Sequence, residues 1–288
     1  MKKVLVAEIG QFALSLTAFG DLDTESPLLL GQEITNLGLE KGLSLLEEDI
    51  GVSDTEFLEC YIVSSLKQEE LQRVIKALDH AGKANPGMPF TGKSSHQEGI
   101  IERWSEAKIV RTNEAMKNLS SLFLEEVGEV LILEGDNDSI DLYLIQKNNP
   151  LFVEGSSEAS QEGRVQGNLT LKTAEELAFE MEDTAQTLQK AILHFCTQGS
   201  PDSRPTHTTR DLTQLRWVIG TGSAITTLPG GLEVIRESLR HCSQMSFPET
   251  GFPILIDRDN ILTPLGALSD TYRQGAWQLL LESLGIEG

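Results

Sequence analysis

The chain has 288 residues, 39% of them hydrophobic and 23% charged, and a formal net charge of −21. Such a length supports one large domain or two lobes with cores of their own. The acidic balance opposes nucleic-acid backbones, and no apolar run reaches the roughly 18–20 residues of a membrane span, so neither nucleic acid nor membrane is an expected partner.

The chain opens with an apolar stretch, Val4-Leu5-Val6-Ala7, behind two lysines, the outline of a signal peptide. Glu8 interrupts it after too few apolar residues. Residues 3–9 and 12–19 ("KVLVAEI", "FALSLTAF") read as two strands of a hairpin. A helix is expected over about 36–48, where Leu37, Leu39, Leu43, Leu45 and Leu46 fall near helical spacing. A short strand follows at 57–65, then a helix at 67–82 with Leu71, Val74, Ile75 and Leu78 on one stripe and Gly82 as its stop. "EAKIVRT" and "NEAMKNLSSLFLEE" supply another strand and helix.

The outline then restarts. "EVLILEGDNDSIDLYLI", 129–145, is strand, polar turn, strand; a helix over about 173–196 follows, with Thr173 and Glu176 placed as a capping box. After a polar loop at 197–210 come the strand "QLRWVIG", a Gly-rich turn, a helix at 231–241, the strand "FPILID" and a terminal pair of helices from Pro264. A hairpin followed by alternating strands and helices, twice over, predicts an α/β protein of two similarly built lobes, 1–128 and 129–288. The C-terminal helices are free to return to the first lobe.

Three features carry possible chemistry. "GMPFTGKS", Gly87–Ser94, fits the P-loop pattern, with Lys93 and Ser94 in the phosphate-binding places. A phosphate cradle needs an apolar strand leading in, and "LDHAGKANP" is a helix end and a loop. Pro89 also removes one donor from the cradle. A mobile surface loop is therefore the expected reading. The second feature is a pair of Gly-and-acid turns, Glu8-Ile9-Gly10 and Glu134-Gly135-Asp136-Asn137-Asp138, which suit either phosphate and metal or plain hairpins. The third is "WVIGTGSAITTLPGG", a strand running into Gly220-Thr221-Gly222, where backbone can approach a ligand closely. Asp257 and Asp259 follow a strand and read as a turn more readily than as a catalytic dyad. The five histidines show no ligand spacing, and the three cysteines, Cys60, Cys196 and Cys242, read as reduced thiols of a cytoplasmic protein, two of them on buried faces.

Taken in order, "VLVAEIG", "LGLEKGLSLL", "VLILEGDNDSIDLYLI", "GRVQGNLTLKTAEEL", "DLTQLRWVIGTGSAITTLPGGLEVIRESL" and "ILIDRDNILTPLGALSDTYRQGAWQLLLESL" resemble the glutamate mutase accessory proteins, the MutL/GlmL family encoded beside adenosylcobalamin-dependent mutases. The family shares only a label with mismatch-repair MutL. The likeness runs over about 129–288, weakens over 1–82 and is absent over about 83–97, where the P-loop mimic lies. It implies the actin/hexokinase/Hsp70-like ATPase fold: two ribonuclease H-like lobes, each a mixed sheet with an N-terminal hairpin and flanking helices. It also implies phosphate binding through hairpin turns rather than a Walker loop.

By position, the resemblance places Glu8, Gly10 and Gln11 at the first phosphate turn and Gly135, Asp136 and Asp138 at the second. Gly220, Thr221 and Gly222 match the adenosine-side turn, and Gly266 the start of a C-terminal helix. Arg164, Gly167 and Asn168 lie in a motif where the family carries two carboxylates, here replaced by Gln166 and Asn168. The first turn lacks the family's hydroxyls and lysine, reading Gln11-Phe12-Ala13-Leu14-Ser15. The second lacks one glycine and both threonines. Phosphate beside Phe12, Asp136 and Asp138 would meet apolar surface and like charge, at a cost on the order of 1–3 kcal/mol for each such contact.

The expectation is a degenerate member, its fold kept and its ATP hydrolysis lost or very weak. ATP with Mg is the cofactor this resemblance admits, with Asp136 or Asp138 as metal ligand. The partner implied is a subunit of an adenosylcobalamin-dependent mutase, aided in exchanging damaged cofactor or in assembly, and a homodimer is compatible with it. The alternatives are an active ATPase or kinase of the same fold and a P-loop nucleotidase acting through Gly87–Ser94.

Overall fold

The structure, a computed structural model, describes residues 2–9, 14–35, 39–50, 57, 59–64, 66, 71, 107–135, 140–147, 149–154, 174–197, 211–226, 230–241 and 246–286. The expected helix at 67–82 apart from Leu71, the side chains of Thr173, Glu176 and Cys196, the P-loop mimic and Cys242 lie outside what it describes. Two compact units divide the chain. Unit 1 comprises Met1–Leu119 and Thr263–Leu280, and unit 2 comprises Ser120–Leu262 and Leu281–Gly288.

Unit 1 is built on strands β1 (Lys3–Ile9), β2 (Leu14–Gly20), β3 (Leu28–Thr35), β4 (Glu59–Ser64) and β5 (Lys108–Arg111), in the order β3-β2-β1-β4-β5. The hairpin β1–β2 and the pair β2–β3 are antiparallel, while β4 and β5 add in parallel beside β1. Alternate residues point to opposite faces. Leu5, Ala7, Leu16, Ala18, Cys60 and Ile62 therefore share one face, where they form a core with Leu43 and Leu46 of helix α1 (Leu39–Ile50). Helix α1 sits two to three residues later than the leucine spacing predicts, and Leu45 is only partly buried. Gly42 lets α1 lie against the sheet, since a Cβ there would stand 2.8 Å from Thr35 Cγ2.

Unit 2 repeats the plan. Strands β6 (Glu129–Gly135), β7 (Ile140–Gln146), β8 (Asn149–Glu154), β9 (Leu215–Thr221) and β10 (Ile254–Ile256) are ordered β10-β9-β6-β7-β8. Read from its hairpin edge, this is the order of the first sheet, again with two antiparallel pairs followed by two parallel additions. Even the burial sequence of β1 recurs along β6. Two ribonuclease H-like sheets of one topology make the actin-like ATPase fold, as expected.

Helix α2 (Thr112–Glu126) links the sheets in sequence and buries Ala115, Met116, Leu119, Leu122 and Phe123 at helical spacing. In unit 2, helix α3 (Ala174–Thr197) lays Leu188, Ala191, Ile192 and Phe195 on Leu131, Leu133, Leu142 and Leu144. The short α4 (Ser223–Thr226) and the helix α5 (Gly231–Arg240) complete that core through Ile225, Val234, Ile235 and Leu239. Helices α6 (Leu262–Leu268) and α7 (Arg273–Ser283) close the chain. Among the described residues, no helix is long and apolar enough to cross a membrane.

Two strands and helix α4 are additions to the sequence reading. Strand β3 carries Gly31 and no clean alternation, and it is an edge strand, so half-burial leaves a weak pattern. Strand β8 carries Pro150, an apparent breaker. It lies on the other sheet's edge, opposite a register shift between Leu144 and Gln146, where a missing N–H breaks no ladder.

Candidate functional site

In an open α/β sheet, ligands gather beyond the carboxyl ends of the parallel strands. In unit 2 those ends belong to β6, β9 and β10, and here the structure brings Gly135, Gly220, Thr221 and Gly222 together. Glu134 of β6 pairs with Thr221 of β9 on one side and with Asp141 of β7 on the other. One residue on, Gly222 turns left-handed at φ 85° and lies on the backbone of Gly135. A Cβ at 222 would stand 2.3 Å from the Gly135 carbonyl oxygen. At Gly135 a Cβ would press on Ile225 at 2.8 Å, and at Gly220 on Ile235 at 2.3 Å. At Gly222 the obstacle is backbone, so this glycine is required by its protein neighbours; at Gly135 and Gly220 isoleucine side chains fill the space a Cβ would take.

The polar groups of the turn are also in use. Thr221 is buried, and its hydroxyl donates to Asp257 Oδ2 at 2.8 Å. The Gly222 amide donates to Asn260 Oδ1 at 2.9 Å, which also lies 3.2 Å from the Thr221 hydroxyl. Asn260 adopts φ 50°, a conformation asparagine tolerates better than most residues. Behind it, the Asp257 amide donates to Gly220 O and prolongs the β9–β10 ladder by one bond.

Asp257 organises this turn. It is wholly buried, and its carboxyl accepts from the Ser283 hydroxyl at 2.5 Å and the Ile261 amide at 3.3 Å on Oδ1. On Oδ2 it accepts from the Thr221 hydroxyl and from the Leu262 amide at 2.9 Å. Burial raises its pKa, and the four donors only partly offset that rise. The Thr221 hydroxyl has one proton and two acceptors within reach. It donates to the nearer, Asp257 Oδ2 at 2.8 Å, while Asn260 Oδ1 stands at 3.2 Å. Asp257 and Asp259 therefore form a turn, as expected, with Asp259 contributing its backbone amide to Ser283 Oγ at 3.0 Å.

A second polar constellation lies in unit 1, at the opposite, amino-terminal ends of β1, β4 and β5. Glu59 accepts from the Tyr272 hydroxyl at 2.7 Å and the Tyr61 hydroxyl at 3.0 Å, and it pairs with Lys2 at 3.2 Å and Lys108 at 3.3 Å. Lys2 also stands over the Tyr272 ring and Lys108 over the Tyr61 ring, at 4.8 and 4.9 Å from the centroids. Partial burial would raise the Glu59 pKa, but hydrogen bonds from Tyr272, Lys2, Tyr61 and Lys108 prevail and bring it down to about 2. The cluster ties the segment before α7 to the sheet, and no sequence motif announces it.

Of the remaining candidates, Glu8 is half-buried near the end of β1, opposite Ser15 of β2 and Val63 of β4. Gly266 lies within α6, where a Cβ would stand 2.5 Å from the Ala115 carbonyl oxygen of α2, so it serves helix packing. Gly10, Gln11, Asp136, Asp138, Arg164, Gly167, Asn168, Lys93 and Ser94 lie outside the described residues. Among the described residues, no three His, Cys, Asp or Glu side chains converge as metal ligands. Cys60 is buried in the first core. Sequence reasoning missed Asn260 and Ser283. A serine in the last turn of a helix carries no local signal, and the partner that explains it is 26 residues away.

Residues 168–284 match the family model described as MutL protein, the family that the motifs resemble. The match starts well after residue 129, where the stronger part of that resemblance begins, and it includes the whole Thr221–Asp257–Ser283 network. No curated protein matches the sequence. Among solved structures, the (R)-2-hydroxyglutaryl-CoA dehydratase component A of Acidaminococcus fermentans aligns over 96% of this chain and 100% of its own, at 9% identity and TM-score 0.46. The ethanolamine utilization protein EutJ of Carboxydothermus hydrogenoformans aligns over 93% and 89%, at 11% identity and TM-score 0.47. The activator of the 2-hydroxyisocaproyl-CoA dehydratase of Clostridium difficile, with bound ADPNP, aligns over 96% of both chains at 8% identity and TM-score 0.45.

Proposed function

From a chain whose residues 168–284 carry the MutL family sequence, we propose an accessory protein for an adenosylcobalamin-dependent mutase of the glutamate mutase kind, acting in the cytoplasm. Its part is to bind one conformation of the mutase better than another, and so to assist assembly or the exchange of damaged cofactor. The cobalamin chemistry remains with the mutase.

We further propose that the nucleotide cleft of the fold is degenerate here. One observation carries this reading: the adenosine-side turn is closed by its own chain. The Gly222 amide, a backbone donor of the kind such turns offer to ligands, is held by Asn260, and the Thr221 hydroxyl is held by Asp257. Gly222 itself rests on Gly135 with no room for a side chain between them. The departures at the two phosphate turns, where Phe12, Asp136 and Asp138 would face phosphate without a lysine, point the same way.

Two measurements test the two halves of the proposal separately. Titration calorimetry with Mg-ATP is expected to show no binding at micromolar concentrations, and a micromolar Kd overturns the degenerate cleft. Passage of adenosylcobalamin-dependent mutase subunits over the immobilised chain at low salt is expected to retain one of them. No retention removes the accessory role, whatever the cleft does.

A further inference from the structure

We propose that Asp257 is a positioning residue that couples the end of helix α7 to the Thr221–Gly222 turn, so that displacing the helix end releases the turn. The proposal is independent of whether the cleft holds a nucleotide or the chain holds a mutase. It rests on a continuous buried chain of hydrogen bonds.

The chain starts at Ser283, the last residue of α7, which is wholly buried. Its hydroxyl donates to Asp257 Oδ1 at 2.5 Å and accepts from the Asp259 amide at 3.0 Å. Its carbonyl accepts from the Arg258 amide at 3.2 Å. The helix end thereby holds three successive residues of the β10–α6 connection. From Asp257 Oδ2 the chain continues to the Thr221 hydroxyl, and from there to Asn260 Oδ1 and the Gly222 amide. Within it, the Ser283 hydroxyl is oriented toward Asp257 by the Asp259 amide it accepts from, and the Thr221 hydroxyl has one proton for the acceptors Asp257 and Asn260, so the position of the carboxyl bears on both.

The other donors on Asp257 cannot replace Ser283. Oδ1 would keep only the Ile261 amide, at 3.3 Å, so the carboxyl would be fixed toward Thr221 mainly from one side, by the Leu262 amide on Oδ2. Asn260, at φ 50°, holds the Gly222 amide from a conformation few side chains favour, and its backbone amide is itself held by the Asp257 carbonyl at 3.1 Å. Loosening Asp257 therefore loosens both contacts of the turn. Beyond Ser283, the chain turns at Gly285, at φ 70°, where the Arg258 guanidinium lies over the glycine. A ligand or partner that takes hold of the chain's last residues would pull directly on this network.

Amide hydrogen exchange on the full chain tests the coupling. In Ser283→Ala, which removes one hydroxyl, the Gly222 amide is expected to exchange about five- to tenfold faster, while Ile132 in the middle of β6 is unchanged. In Ser238→Ala, which removes an equally buried hydroxyl donating to Val234 O within α5, Gly222 is expected to keep its rate. Asp257→Asn is expected to exceed Ser283→Ala at Gly222. If that variant does not fold, the two serine variants still decide. An unchanged Gly222 in Ser283→Ala overturns the proposal, and so does an equal acceleration in both serine variants.

Discussion

The two sheets share strand order, strand direction and the burial sequence of their first strands, yet they finish their carboxyl ends differently. In unit 1, Ile9 lies opposite Ser64, and the Ser64 hydroxyl donates to the Ile9 carbonyl at 2.8 Å. In unit 2 the corresponding residues are Gly135 and Gly222, packed backbone against backbone. Their carboxylates differ as well. Glu59 lies among two lysines and two phenols and stays partly exposed, whereas Asp257 is sealed among neutral donors. One topology thus accommodates opposite electrostatic solutions, because strand pairing involves only backbone while the strand ends are completed by side chains.

The largest effect is expected from forcing the first solution onto the second. Gly222→Ser would place a Cβ on the Gly135 carbonyl and a side chain at φ 85°, costing about 4 kcal/mol. The reverse change, Ser64→Gly, loses two hydrogen bonds, to the Ile9 carbonyl and from the Leu66 amide, and some chain rigidity, about 2 kcal/mol. Urea unfolding of the two variants measures the difference. Similar costs would mean that the sheet ends are interchangeable after all.

Next in size is Asp257→Asn. An amide nitrogen on either side would face a backbone N–H, costing about 3 kcal/mol. The pH dependence carries a definite sign. Burial raises the folded pKa above the ordinary aspartate value of 3.8, so the stability this group contributes is complete below that value and is lost as pH rises through the folded pKa. The gap between native chain and variant should therefore narrow toward alkaline pH. A gap that widens would mean that the folded carboxyl is the more acidic one.

Glu59→Gln should cost less, about 1–2 kcal/mol, with the opposite sign. Its hydrogen-bonding and charged partners hold the folded carboxyl down to about 2, against the ordinary glutamate value of 4.5. Its contribution is present above pH 4.5 and disappears as pH falls through about 2, so this gap should close in acid. Denaturant midpoints of the native chain and the variant across that range check it. A constant gap would make Glu59 a packing residue rather than a charge partner.

The legible part of the fold was whatever a short window of sequence can express. Leu5, Ala7, Leu16 and Ala18 alternate, so β1 and β2 were visible; Leu188, Ala191, Ile192 and Phe195 recur at helical spacing, so α3 was visible. Strand β8 was not, because Pro150 is a breaker everywhere except at an edge or a bulge, and neither is defined until β7 lies alongside. The turn Gly220-Thr221-Gly222 was legible as a place of close backbone approach, but what approaches it was not.

By itself, the amino-acid order determined the period of each element, the duplication of the plan and the family likeness, since these depend on neighbours in the chain. Only the tertiary structure decided that Gly222 rests on Gly135, that Thr221 answers to an aspartate 36 positions later, and that this aspartate answers in turn to Ser283. Such contacts join residues that meet only after the sheet has closed, and their energies come from burial and hydrogen-bond geometry, which a linear pattern does not encode.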